Sequence, residues 1–343
     1  EPLLLPVLFH ASAFFSCLAE YRRGLELGER MLELARRRGD AVNEAMAHLV
    51  VGLPSYFMGD LAEGRDHMRC VLELYDPDRH PGARHLYGGV DAAVVARMHL
   101  SWVLAYMGYP ESSRSLVEEA EALAERLDHP MSRGFVSLMA LTSSLVWGDL
   151  DETQRHVDLL RALATRHAFP LYGAWAEIDH AYVALLRGRF ATDEPVIPRH
   201  IETLELVMPC FKSLALAESA VEHHHHGLTG YALEVFAEAG EFVERHGERV
   251  LEAFLHLEWG RVLRDMGSQV EAEAHLTTAL DVARRQRAKL WELKAATELA
   301  RLWQGQGKAA EGRALLEPVV AWFTEGLDTP PLAEARRVLE ELA

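Results

Sequence analysis

Residues 41–75 read AVNEAMAHLVVGLPSYFMGDLAEGRDHMRCVLELY. Within them Val42, Ala45, Met46, Leu49, Val50, Leu53, Tyr56 and Phe57 follow one another at steps of one and three, the spacing of a helix with one broad apolar face. Gly59 then marks a turn, and residues 61–75 repeat the pattern. Two amphipathic helices joined by so short a turn fold back on each other, and neither can cover its apolar face until a neighbouring pair stacks on it. The stretch therefore predicts one unit of a repeating all-α array.

The same marker recurs at Gly108, Gly148, Gly188, Gly227, Gly267 and Gly307, with spacings of 49, 40, 40, 39, 40 and 40 from Gly59 onward. One period before Gly59 lies Ala19, an equivalent turn, so eight units cover nearly all of the 343 residues. The excess in the first gap falls in residues 76–89, DPDRHPGARHLYGG, whose Pro, Gly and Asp content reads as a loop insertion. Seven residues before the markers stand Ser12, Gly52, Ser101, Leu141, Ala181, Ala220, Gly260 and Ala300. Five after them stand Gly24, Gly64, Ser113, Thr153, Asp193, Ala232, Ala272 and Gly312. Nearly all are small, as close crossing of paired helices requires; Leu141 is the exception. This is the tetratricopeptide pattern lengthened to about 40 residues, and it predicts a single right-handed superhelical solenoid over residues 1–343. Pro195 and Pro198 delay one second helix to about Arg199, and residues 328–343, opening on Asp328-Thr329-Pro330, supply a capping helix.

Composition narrows the function. Lys+Arg 35 against Asp+Glu 52 gives a formal charge of −17, which repels nucleic acid and anionic lipid over most of the surface. The longest apolar run, residues 3–18, carries Pro6, His10 and two serines and is too short for a membrane span. Cys17, Cys70 and Cys210 lie far apart and form no CxxC pair, so they read as buried, inert thiols in a reducing cytoplasm, with neither a disulfide framework nor a thiolate metal site. A chain that starts at Glu1 without an initiator Met reads as a fragment or a trimmed protein.

Residues 283–342, ARRQRAKLWELKAATELARLWQGQGKAAEGRALLEPVVAWFTEGLDTPPLAEARRVLEEL, resemble the C-terminal tetratricopeptide region of large bacterial regulatory ATPases, many of them fused to class III adenylate or guanylate cyclase domains. GDLAEGRDHM, LELYDPDRH, LAYMGYP, LDHPMS and HAFPLYGAWAEI are similar to the same family, and WFTEG-x-DT is the most distinctive element. The resemblance implies a sensory or partner-binding array that follows an ATPase or cyclase and contacts it within the full-length protein. Neither catalytic part is expected in this chain, because no GxxxxGK[ST] occurs in it to cradle nucleotide phosphates.

Stacked pairs curve with their first helices inward. On the tetratricopeptide register Met98, Trp102 and Tyr106, then Trp175 and Tyr182, then Arg261 and Arg264 face the concave side. They predict a groove, aromatic at one end and basic toward the other, for a protein, an acidic or apolar peptide, or a small ligand; the competing reading of the aromatics is core packing. No cofactor and no catalytic residue is expected. His223, His224, His225 and His226 point about 100° apart in succession and cannot converge on one ion, so they read as a solvated helix end before Gly227. His80, His85, Asp76, Asp78 and Asp91 match no metal-ligand spacing and read as an exposed insertion. A metal-dependent all-α hydrolase built on these histidine-rich segments is the alternative to a non-catalytic signalling scaffold.

Overall fold

The computed structural model describes residues 3–80, 82–83, 89–189 and 194–343. Among them the chain forms seventeen α-helices and no strand. Sixteen helices make eight successive pairs, from Leu4–Cys17 with Tyr21–Arg38 to Lys289–Gly305 with Ala309–Ala321, and Pro330–Glu341 follows as the last. Local chemistry sets the boundaries. Asp40, Asp60 and Asp149 accept hydrogen bonds from backbone N–H groups of the first helical turn, while Pro110, Pro130, Pro170 and Pro198 open helices where no N–H is needed. All seven marker glycines have left-handed backbone, φ between 67° and 97°, and Ala19 takes the same role at φ 59°.

The small residues at the two offsets meet across each pair. A Cβ on Gly312 would lie 3.1 Å from the Ala300 carbonyl oxygen, and one on Gly64 would lie 3.4 Å from that of Gly52. Ser12 Oγ donates to Gly24 O at 2.6 Å, and Ser101 and Ser113 hydroxyls bond at 3.1 Å. In the fourth unit Leu141 is fully buried, and Ser144 makes the contact with Thr153 instead, at 2.9 Å between hydroxyls. Asp193 lies outside the described residues. The short helix Pro198–Val207 starts where the prolines allow, and the two amides ahead of it, Val196 and Ile197, donate to the buried Glu222 at 2.9 Å each. The last helix begins at Pro330 as the sequence indicates, but Thr329 Oγ1 turns back to Gly326 O at 2.6 Å and caps nothing. No helix among the described residues is long and apolar enough to cross a membrane.

The array does not stay open. Its early and late units touch along a seam. Tyr21 OH donates to Glu248 Oε2 at 2.6 Å; Arg249 N and Val250 N donate to Phe57 O at 2.8 and 3.1 Å. Glu325, inside WFTEG-x-DT, accepts from the backbone N–H groups of Glu111 and Ser112 at 2.9 and 3.1 Å, while Gly326 N donates back to Glu111 Oε1 at 2.9 Å. Glu325 thereby caps the helix Pro110–Arg126, which has no cap of its own. Trp322 and Phe323 pack beside Gly108, where a Cβ would meet the Trp322 ring at 2.8 Å. One continuous apolar cluster runs from Leu5 to Leu342. The expected trough is consequently filled from within: Phe211 has its ring 4.8 Å from Phe57, 5.3 Å from Trp102 and 6.2 Å from Trp175.

Candidate functional site: a small interior cavity

Within the array the first helices of the third to eighth units border a cavity of about 80 Å³, whose lining includes Tyr106, Tyr182, Glu218, Glu258, Arg261, Trp291 and Lys294 among mostly apolar neighbours. Three residues that the register directs inward, Tyr106, Tyr182 and Arg261, are thus brought together at one place. Arg264 stands half-buried beside it on Glu298. Met98, Trp102 and Trp175 are buried in the packed interior; Trp102 Nε1 donates to Met139 O. Phe211, ahead of the sixth unit, packs against Trp102 and Trp175 there.

Sequence reading missed the acids. Asp179, Glu218, Glu258 and Glu298 each stand nine residues before a marker glycine, in four consecutive units. Stacking consecutive first helices lines them up as a ladder along the interior. Its two ends are neutralised differently. Arg261 Nη1 donates to Glu258 Oε1 at 2.7 Å and its Nε to Glu298 Oε1 at 2.9 Å; Arg264 also donates to Glu298, and Arg301 lies 3.5 Å away. Burial opposes the Glu298 carboxylate, but the three guanidinium groups outweigh it and hold its pKa below the usual range. Asp179 and Glu218 have no cation. Burial pushes both well above the carboxylate range, and for Glu218 the neighbouring Asp179, Glu258 and Glu222 add to the rise. Burial thus favours the protonated form of both, a form that can donate as well as accept.

Two of the residues around the cavity each carry a buried atom without a partner among the described residues: Glu218 Oε2 and Trp291 Nε1, on side chains 1% and 2% exposed. Asp179 Oδ2 is unpartnered just behind. A buried polar atom left unmatched costs about 1–3 kcal/mol, so a ligand able to match it gains that much in return. Lys294 completes the wall. Its Nζ lies 5.1 Å over the Trp291 ring, and burial, with Arg261 adding to it against Glu258, lowers its pKa to about 7. The chamber therefore offers an acid, an indole donor and an amine that changes charge near neutrality. A wider surface cleft of about 510 Å³ beside Trp147 and Pro330 offers less, since its arginines are already matched: Arg187 with Asp151 at 2.6 Å and Arg114 with Asp149 at 3.6 Å.

The other singled-out residues go elsewhere. His223 is buried, with Nδ1 2.7 Å from Ser219 O; His224 Nδ1 lies 3.1 Å from Thr229 Oγ1; only His225 of the four is fully exposed. The tract is thus partly packed and not simply a solvated end, because the helix Lys212–His225 continues through it before Gly227. Asp91 is buried, accepting from Tyr75 OH and Ala93 N at 2.9 Å each, and Asp76 Oδ1 accepts from Asp78 N. His80 is held at the backbone N of Asp76, and His85 lies outside the described residues. Among the described residues no group of three or more His, Cys, Asp or Glu is arranged to hold a metal ion. Of the cysteines only Cys210 is buried; Cys17 and Cys70 are half-buried. No family model matches the chain, and none of the curated proteins matches it.

Proposed function

We propose that this chain is a non-catalytic sensing scaffold, a right-handed superhelical array of tetratricopeptide-like pairs that encloses a small polar molecule and reports its presence to a neighbouring part of a bacterial signalling ATPase or cyclase. The observation that carries the reading is that Glu218 and Trp291, each with an unmatched buried polar atom, line one cavity together with Lys294. A fitting ligand has a group that bonds Glu218 and an acceptor for the indole N–H and the lysine. It would join the third to eighth units, the two ends of which are remote in sequence, so occupancy favours the closed curvature over any looser one. The resemblance of residues 283–342 to regulatory ATPases supplies the signalling context, including an intramolecular contact with an N-terminal catalytic part. A metal hydrolase is disfavoured because the histidines it would use are dispersed into packing and caps.

Thermal unfolding in the presence of a panel of small amphoteric metabolites tests the reading. A binder raises the Tm of the parent protein and loses most of that effect with Glu218→Gln and with Lys294→Met. A stabilising ligand whose effect survives both substitutions binds elsewhere and defeats the proposal.

A further inference from the structure

Cys17 and Cys210, remote in sequence, meet at the seam. Cys210 N donates to Cys17 O at 3.1 Å. With ordinary bond lengths this contact holds the two Cα atoms within about 7 Å even if every atom lay on one line, and closer in any real hydrogen-bond geometry, inside the range that a disulfide spans. The thiols themselves are hydrogen-bonded, Cys210 donating to Cys17. Cys17 closes the helix Leu4–Cys17 and is half-buried, whereas Cys210 is buried next to Phe211, whose left-handed backbone (φ 73°) turns the chain into the helix Lys212–His225. Two thiols of unequal access, already in contact, have the arrangement of an attacking and a resolving cysteine.

We propose that Cys17 and Cys210 are a modification site that closes to an intramolecular disulfide by exchange with a low-molecular-weight disulfide of the glutathione type. The accessible Cys17 thiolate attacks one sulfur of the small disulfide, breaking its S–S bond and expelling one thiolate. The Cys210 thiolate then attacks Cys17 Sγ in the mixed disulfide and expels the second. The two protein protons leave with the two small thiols, the cysteines are oxidised by two electrons and the small disulfide is reduced by two. The hydrogen bond from Cys210 lowers the Cys17 pKa against the effect of burial, and donating it raises that of Cys210, which sets the order of attack. Cys70 is the internal control: half-buried on the helix Leu61–Leu74, its pKa is raised by burial and then by Glu73, and it has no thiol partner.

The bond would fix the first unit to the sixth and hold Phe211 in the aromatic interior. The test treats the folded, reduced protein with oxidised glutathione, alkylates the remaining thiols and maps the products by peptide mass spectrometry. The expected products are a Cys17–Cys210 linked peptide and alkylated Cys70, with a Tm several degrees higher that dithiothreitol reverses. Cys210→Ser stops at the Cys17–glutathione adduct, and Cys70→Ser leaves the linkage unchanged. Glutathione retained on Cys17 of the wild-type protein, or modification of Cys70 with both seam thiols untouched, would overturn the proposal. The wild-type map decides this by itself even if a serine variant folds poorly.

Discussion

At the scale of single residues, close approach and buried charge govern what can change. Gly28 lies where the second helix of the first unit crosses the next unit, and a Cβ there would stand 2.8 Å from the Val50 carbonyl oxygen. Backbone cannot step aside cheaply, so Gly28→Ala should destabilise by about 1–3 kcal/mol despite the better helix propensity of alanine. Gly240→Ala, in the helix Thr229–His246 with its nearest neighbour at 3.9 Å, should stabilise by about 0.5–1 kcal/mol. Urea unfolding of both variants separates the signs. The two buried acids, Asp179 and Glu218, give a second residue-scale expectation. A carboxyl whose pKa is raised on folding keeps its proton in the native state while the unfolded chain loses it, so stability falls as pH rises above the ordinary carboxylate value of about 4.5. Glu218→Gln and Asp179→Asn should each be more stable than the parent at pH 7 and gain nothing at pH 4. Unfolding midpoints at the two pH values measure it; equal effects at both would place ionised carboxylates in the chamber.

At the scale of the helix pair, the units are not interchangeable. His48 and His67 face each other across the second unit with Nδ1 atoms 2.7 Å apart, and His256 and His275 do so at 2.9 Å in the seventh, at equivalent repeat positions. Each pair shares one proton between its rings. Burial, reinforced by the opposing ring, lowers His48 and His256 to about 4, and burial lowers His67 and His275 as well. Here the unfolded chain binds protons more readily, so the pairs contribute stability above about pH 6.5 that is lost as pH falls toward 4. His48→Gln combined with His256→Gln should flatten that decline, read as urea midpoints at several pH values; an unchanged slope would mean that other groups dominate. Pair architecture was legible in the sequence because it is local: the glycine markers, the small residues five after and seven before them, and Ala19 as an eighth turn all reappear in the backbone. The ladder of acids was also written there, at a fixed offset nine residues before the turn, but an apolar-face reading passes over charged residues. Leu141 obeyed no small-residue rule because Ser144, one turn away, took over the contact.

At the scale of the molecule, what could not be read was closure. Periodicity reports how each unit sits on the next, while the meeting of distant units depends on small rotations summed over the whole array, and no single residue encodes that sum. Met98, Trp102 and Trp175 lie in the packed interior, and Tyr106, Tyr182 and Arg261 line the cavity. Glu325 tests closure directly. Glu325→Ala removes the side-chain cap on the helix Pro110–Arg126 and should cost about 1 kcal/mol. Hydrogen exchange at the Glu111 and Ser112 amides should accelerate more than at amides within the eighth unit; uniform acceleration would point to global loosening instead. The same contact orders events during synthesis. A nascent chain that has not yet reached Trp322 has its early pairs stacked but nothing to clasp the third unit, and its hollow stands open to the surroundings. Under the function proposed above, a ligand would reach its site more readily in the unfinished chain than in the clasped protein, and exchange from the finished protein would be the slower of the two.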